Sequence, residues 1–398
     1  MATSAKLDKE KAPLDLETII RLKPARVFKG AIESSLTPPS TPPQGPSQNR
    51  TPPPTLPLHI TGTSFDDTGE VFVTAAEDET FRLYDCRTGK HKKTLLSKKY
   101  GITLPRFTHK NSSIIYASTK VDHTIRYHSL HDNKYLQYFK GHEKKVVSLD
   151  MSPVSDGFLS ASEDKTVRLW DLRTPTARGE LSGLPHTPLA AYDSNGVVFA
   201  VGLNSYQRIN LYDTRNFDKE PFLHIQIVDR ALELISFPPR LPLMTSLSFS
   251  SNGKLLLVGT AGNVHYVVDA FDGVLFLRLV GFEGLEPGKS GREGGMTPTR
   301  GLSGEEVCWT PDSKFVIGGS LDGKVHVWDL SSDNKIPRLG PGEDPVTLQP
   351  AYTMEGSPSV TRCVKFNPRY QMMATAGAEL AFWLPDNGNE DGKPKAAP

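Results

Sequence analysis

A chain of 398 residues is long enough for two or three domains at about 150 residues each. Only 37% of its residues are hydrophobic and 23% charged, while 33 glycines and 32 prolines predict a turn-rich protein with some unstructured sequence. Lys+Arg 46 against Asp+Glu 45 leaves a net charge of +1, which excludes a surface coated overall for a polyanion, so charge must be read locally.

The longest apolar runs, such as Leu255–Val258, fall far short of the roughly 18 residues of a membrane span, so the sequence predicts a soluble protein with no membrane partner. Met1–Lys11 lacks an apolar segment of the secretory type. Three cysteines, Cys86, Cys308 and Cys363, are odd in number and lack CxxC spacing, which predicts a reducing compartment and no metal knuckle.

In chain order, Asp15–Leu22 has apolar residues at helical spacing and predicts one short helix within an N-terminal tail, 1–25. Ala25–Gly30 is similar to Leu136–Gly141, an outer strand further on. From Ala31 to Pro57 the chain carries nine prolines and reads as disordered or polyproline-like. A recurring pattern of turn, alternating strand, aromatic and Asp then sets in: Phe81–Asp85, Val167–Asp171, Ile209–Asp213 and Val325–Asp329. Weaker copies stand at Ile125–Tyr127, His265–Asp269 and Ala381–Trp383. At the aromatic or its equivalent the marks fall at 84, 127, 170, 212, 268, 328 and 383, spaced by 43, 43, 42, 56, 60 and 55.

Four short strands per unit with a period of about 40 to 45 residues predict an all-β, seven-bladed WD-repeat propeller over 26–385, followed by a disordered tail, 386–398. The last repeat lacks a fourth strand, and Arg26–Phe28 is predicted to supply it, which ties the chain ends together. Insertions at 31–57, 229–243, 284–304 and 333–350 explain the wider gaps. The first three join an outer strand to the next inner strand, on the top face; the fourth lies within a blade and is expected on the bottom. Thr37, Thr41, Thr51 and Thr297 precede prolines in these insertions and are candidate proline-directed phosphorylation sites, against the plainer reading of an inert linker.

The third repeat matches the buried hydrogen-bond relay of WD-repeat families through His142, Ser160, Asp164 and Trp170, with Ser162 a rival for the serine role. A buried carboxylate and imidazole must each find partners, so His142 reads as structural rather than catalytic.

The sequence carries no recognisable catalytic or metal motif, so no enzyme and no cofactor is predicted. Gly284–Ser290 misses Walker spacing because Glu283 stands where the first glycine is needed, and the glycines that follow preclude a helix. His123, His128 and His131 lack further ligands at metal spacing and read as surface residues. The one remaining enzymatic form is hydrolysis by carboxylates in a central channel.

From Cys86 to Val121 there are nine Lys/Arg and no acid. They either guard an exposed outer strand against edge pairing or form a docking belt for an acidic or phosphorylated partner. Lys98, Lys99, Tyr100 and Lys120, with Lys144 and Lys145 in the next repeat, are the candidate partner-binding residues. Without a row of stacking aromatics, direct sequence-specific nucleic-acid binding is not expected.

Leu83–Cys86, Ser97–Gly101, His128–Tyr135, Asp164–Arg173, Asn216–Lys219, Asp322–Trp328 and Ala381–Pro385 go beyond a general WD pattern. They resemble the family of the propeller subunit shared by COMPASS, the histone H3 methyltransferase complex, and the fungal cleavage and polyadenylation factor. The resemblance implies a nuclear, non-catalytic adaptor that binds the N-terminal region of the methyltransferase. It also implies partners in the cleavage and polyadenylation factor, including a phosphatase-regulatory subunit, and the serine-phosphorylated tail of RNA polymerase II. A substrate receptor or general scaffold propeller, for example in a ubiquitin ligase, is the alternative reading.

Overall fold

The computed structural model describes residues 14–32, 58–232, 234, 242–285, 304–331, 339–340, 343–356 and 359–386. Their strands form seven antiparallel blades arranged in a ring, a seven-bladed WD-repeat propeller. Inner strands run through Ile60–Phe65, Thr103–Phe107, Val146–Met151, Pro188–Tyr192, Met244–Phe249, Val307–Trp309 and Cys363–Phe366. The second strand of each blade is sandwiched between neighbours and reads as continuous small and apolar sequence. In Gly157–Ser162, Leu255–Thr260 and Phe315–Gly319 every residue is buried. Outer strands such as Lys90–Leu96 face water and carry the charges.

The core lies between blades rather than in one centre. Leu211 and Ile225 of blade 4 pack on Leu256 and Val258 of blade 5, and Phe315 and Ile317 of blade 6 on Val364 and Trp383 of blade 7. Each interface repeats the same solution, so the ring closes without a hydrophobic centre of its own.

Closure uses the strand read from Arg26–Phe28, but it is longer: Leu22–Phe28 pairs antiparallel with Leu380–Pro385, with Phe28 opposite Leu380 and Leu22 opposite Pro385. The preceding helix is correspondingly short, Leu16–Ile20, capped by Asp15, whose carboxylate accepts the Thr18 N–H at 2.7 Å. Ile19 and Leu22 are buried against blades 6 and 7.

The insertion at 229–243 opens with a single 3-10 turn, Arg230–Leu232. Three readings are corrected. Ala31 and Ile32, at the start of the first insertion, are buried in the core beside Phe72 and Tyr84. The insertion at 333–350 does not stay on the bottom face: Val346–Leu348 runs parallel to the outer strand of blade 5, Leu275–Leu279, as a fifth strand. In blade 2 the position equivalent to Trp170 is His128, not Tyr127, because Ile114 faces His128 as Phe158 faces Trp170. His128 is therefore buried among Phe81, Tyr116 and Tyr135, not on the surface.

Thr37, Thr41, Thr51 and Thr297 lie outside the described residues, as do most of 31–57 and 284–304. Among the described residues no helix is long and apolar enough to cross a membrane.

Candidate partner-binding surface

His142 sits on the loop that enters blade 3. Its Nε2 lies 2.7 Å from Ser160 Oγ and its Nδ1 2.8 Å from Asp164 Oδ2. Ser160 Oγ also accepts the Trp170 indole N–H at 2.8 Å. Its own proton therefore goes to Nε2, which leaves Nδ1–H to donate to Asp164. Burial disfavours a charged Asp164, but hydrogen bonds from His142 and Thr166 outweigh it and hold the carboxyl well below the usual carboxylate range. Ser162 acts elsewhere, and its hydroxyl donates to the Lys144 carbonyl at 3.0 Å. Together the relay and Ser162 pin this loop, and the Lys144 and Lys145 side chains stand exposed on it.

One blade earlier, Ser97–Gly101 makes the matching turn. Tyr100 and Gly101 both donate N–H groups to the Ser97 carbonyl, at 3.1 and 2.7 Å. Gly101 has φ +67°, and a Cβ there would come within 1.8 Å of Thr119 Oγ1, so glycine is required. Thr119 and Lys120 in turn donate their N–H groups to the Tyr100 carbonyl at 3.0 and 2.9 Å, which locks the two loops of blade 2 together. Lys98 and Lys99 project from this platform, exposed.

The run of nine cations does not form one belt. Arg87 pairs with Glu70 at 2.9 Å, Lys92 with Asp85 at 2.9 Å, and Lys120 with Glu79. Lys93 donates to the carbonyls of Leu130 and His131. Arg106 turns inward: it meets Glu305 at 2.5 Å, while Glu305 Oε2 accepts from Thr63 N and Oγ1 at 2.7 and 2.6 Å. This cluster joins the inner strands of blades 1 and 2 to the start of blade 6, and the fully buried Glu305 is occupied in holding the ring. Of the singled-out lysines, Lys98, Lys99, Lys144 and Lys145 have no carboxylate among the described residues within salt-bridge reach.

Sequence reasoning missed the aromatic and guanidinium groups beside them. Arg126 is buried, chelates Asp122 through both terminal nitrogens at 2.9 and 2.8 Å, and lies 3.7 Å from the Tyr100 ring centroid. Tyr135 and Tyr138, 37% and 42% exposed on the outer strand of blade 2, continue the patch, with Tyr135 6.4 Å from Tyr100 and 5.5 Å from Tyr138. The signal was the repeated Arg of Phe81-Arg82-Leu83, Ile125-Arg126-Tyr127 and Val167-Arg168-Leu169, which marks one structural position in three blades. Contrary to the sequence reading, aromatics do stand by the lysines. Arg126 and Lys99 already cover the Tyr100 ring, so the patch suits an anionic peptide better than a stacked base.

The WD domain, G-beta repeat model matches residues 50–85, 133–171 and 305–329. WD repeat-containing protein 82 of Drosophila melanogaster is 44% identical over 326 residues, which cover 82% of this chain and 90% of that protein. The chain belongs to the WD repeat-containing protein 82 family. The resemblance carried by Leu83–Cys86, Asp164–Arg173 and the other strings is thereby borne out. Within the family, the Set1 complex component swd2 of Schizosaccharomyces pombe is 36% identical over 346 residues, covering 81% of this chain and 92% of that one. The COMPASS component SWD2 of Saccharomyces cerevisiae is 35% identical over 330 residues, covering 82% and 91%.

Proposed function

We propose that this chain is a non-catalytic adaptor of a COMPASS-type histone H3 lysine methyltransferase complex in the nucleus, and that it binds the N-terminal region of the methyltransferase. The observation that carries the reading is the full-length similarity to proteins named as COMPASS and Set1 complex components. The platform of Lys98, Lys99 and Tyr100, with Lys144 and Lys145 on the next loop, supports it. Rigid loops on a closed ring present cations with no carboxylate partner among the described residues, beside partly exposed tyrosines, and this suits an extended acidic or phosphorylated segment. Lys120, already paired to Glu79, contributes to the platform through its backbone.

The same surface is proposed to serve the mRNA cleavage, polyadenylation and termination machinery, through a phosphatase-regulatory subunit, and to meet the serine-phosphorylated tail of RNA polymerase II. Affinity purification of the tagged native protein, followed by cross-linking and mass spectrometry, tests this directly. Methyltransferase and cleavage-factor peptides cross-linked to Lys98, Lys99, Lys144 or Lys145 are the expected result. Recovery of ubiquitin-ligase components with no chromatin or RNA-processing subunit would favour the substrate-receptor alternative.

A further inference from the structure

Blades 1, 2 and 5 build their outer strands on one plan. In blade 5, Leu277, Arg278 and Leu279 stand opposite Val267, Tyr266 and His265, and a bulge at Phe276 separates them from Leu275. In blade 2, Gln137, Tyr138 and Phe139 stand opposite Tyr127, Arg126 and Ile125, with the bulge at Leu136. Blade 1 repeats the plan at Lys93, Thr94 and Leu95, with the bulge at Lys92. In blade 5 these three residues carry the added strand Val346–Leu348, parallel and in register. Val280 donates its N–H to the Leu348 carbonyl at 3.2 Å. Backbone groups alternate in direction along a strand, so Arg278 also turns its N–H and C=O toward the added strand. Tyr138 and Lys140 are the equivalents of Arg278 and Val280 in blade 2.

The outer edges are not equally open. Blade 5 is covered, and blade 1 carries Lys90, Lys92 and Lys93 on its edge. Blade 7 closes with Lys23, Pro24 and Arg26, and the outer strands of blades 3, 4 and 6 are only 3, 4 and 3 residues long. Lys134–Phe139 of blade 2 keeps only a terminal lysine. It is 6 residues long without proline, exposes Tyr135, Leu136 and Tyr138, and pairs on one side only, with Ile125–Ser129. The Lys140 N–H meets no acceptor among the described residues, which include all of blades 1 to 3. Lys134 at one end, and Lys140 and Lys99 beyond the other, have no carboxylate among the described residues within salt-bridge reach.

We infer that the outer strand of blade 2 accepts a fifth strand from a partner, an extended segment with β-branched and apolar residues at its centre and acids at both ends. It runs parallel to Gln137–Phe139, as Val346–Leu348 runs along blade 5. Tyr138 bonds through its N–H and C=O, and Lys140 donates to the carbonyl of the residue opposite Phe139, the roles of Arg278 and Val280. Leu136 and Tyr138 lie against its apolar centre, and its acids meet Lys134 at one end and Lys140 and Lys99 at the other. The sequence 33–57 is a poor source of such a strand, since no stretch of it longer than five residues lacks proline. That the segment belongs to the methyltransferase rests on the adaptor reading; the capacity of the edge does not.

Hydrogen exchange, read by NMR in the full-length protein, tests the edge without a partner. The synthetic peptide Asp-Asp-Val-Thr-Leu-Asp-Asp in excess should slow exchange at Tyr138 and Lys140 at least tenfold and leave Lys90–Leu96 and Leu223–Gln226 unchanged. N-methylation of the peptide's leucine, whose N–H faces the Tyr138 carbonyl, should abolish the effect. N-methylation of its threonine, which faces away, should not. Slow exchange at Tyr138 and Lys140 in the protein alone, no response to the peptide, or an equal effect of the two N-methylations would overturn the inference. A second arm adds the N-terminal segment of the cognate methyltransferase, which should protect the same two amides. Tyr138→Pro removes an outward N–H and spares the bonds to Ile125–Ser129, so it should weaken the segment at least tenfold at an unchanged thermal midpoint; the N-methylated peptides carry the test if that variant unfolds. If the segment binds and neither amide responds, the methyltransferase is not the occupant while the adaptor reading stands. If the peptide acts as expected and the segment does not bind, the edge is upheld and the adaptor reading fails.

Discussion

Ser160 and Ser162 both looked fit for the relay because they lie two apart on one strand, and only geometry separates them. Ser160 serves two buried partners, Trp170 and His142, whereas Ser162 bonds to a loop carbonyl. Ser160→Ala therefore orphans two buried polar groups and should cost more than Ser162→Ala, by about 1–3 kcal/mol in urea denaturation. Equal losses would remove the distinction. Asp164 adds a pH dependence of definite sign. Its carboxyl titrates lower in the folded chain than the value near 3.9 of an unfolded one. Its contribution is then fully present above about pH 4 and lost as pH falls through the folded value. Asp164→Asn should accordingly lose less stability than the parent between pH 6 and pH 3. The relay residues were legible in the sequence because they are spaced within one repeat. His128 was not, because Tyr127, one residue earlier, supplies a nearer match to the aromatic mark while it occupies the Leu169 position.

Among elements, the closing strand carries the greatest consequence. Leu22–Phe28 covers what would be the exposed edge of Leu380–Pro385, and Phe28 packs its ring 4.8 Å from Tyr84 and 5.9 Å from Phe382. Removing residues 1–28 also strips Ile19 and Leu22 from the interface of blades 6 and 7. At about 1.5–3 kcal/mol for each buried side chain, the truncated protein should lose at least about 3–6 kcal/mol. Thermal unfolding of the two forms measures it, and an unchanged midpoint would mean that the ring closes without this strand. The fifth strand of blade 5 is a lighter attachment, with three residue pairs in register and an Arg278–Thr347 hydrogen bond at 3.2 Å. Thr347→Pro should speed hydrogen exchange in Leu275–Leu279 and leave global stability nearly unchanged. This strand could not be read from sequence: Val346–Leu348 is too short to show a period, and its partner lies in the preceding blade.

At the scale of the whole molecule, the ring itself was legible because each blade is a local unit with its own aromatic mark, and the early spacing near 43 residues repeats without long-range information. What ties the units together was not. Arg106 and Glu305 are 199 residues apart, and the platform draws Tyr100, Arg126 and Tyr135 from separate strands and loops. Local charge counting assigned Arg106 to a belt it does not join, since only the fold shows which cations are already spent. Lys98 and Lys99 are therefore decisive, as cations on a rigid loop with no carboxylate partner among the described residues. The most direct measurement is calorimetric titration of the full-length protein with the N-terminal segment of its cognate methyltransferase, at two salt concentrations. Binding should be saturable, weaken with salt, and fall at least tenfold in a Lys98→Glu, Lys99→Glu variant of unchanged thermal stability. Absence of binding by the parent protein, or equal affinity in the charge-reversed variant, would contradict the role of these two lysines in docking the methyltransferase.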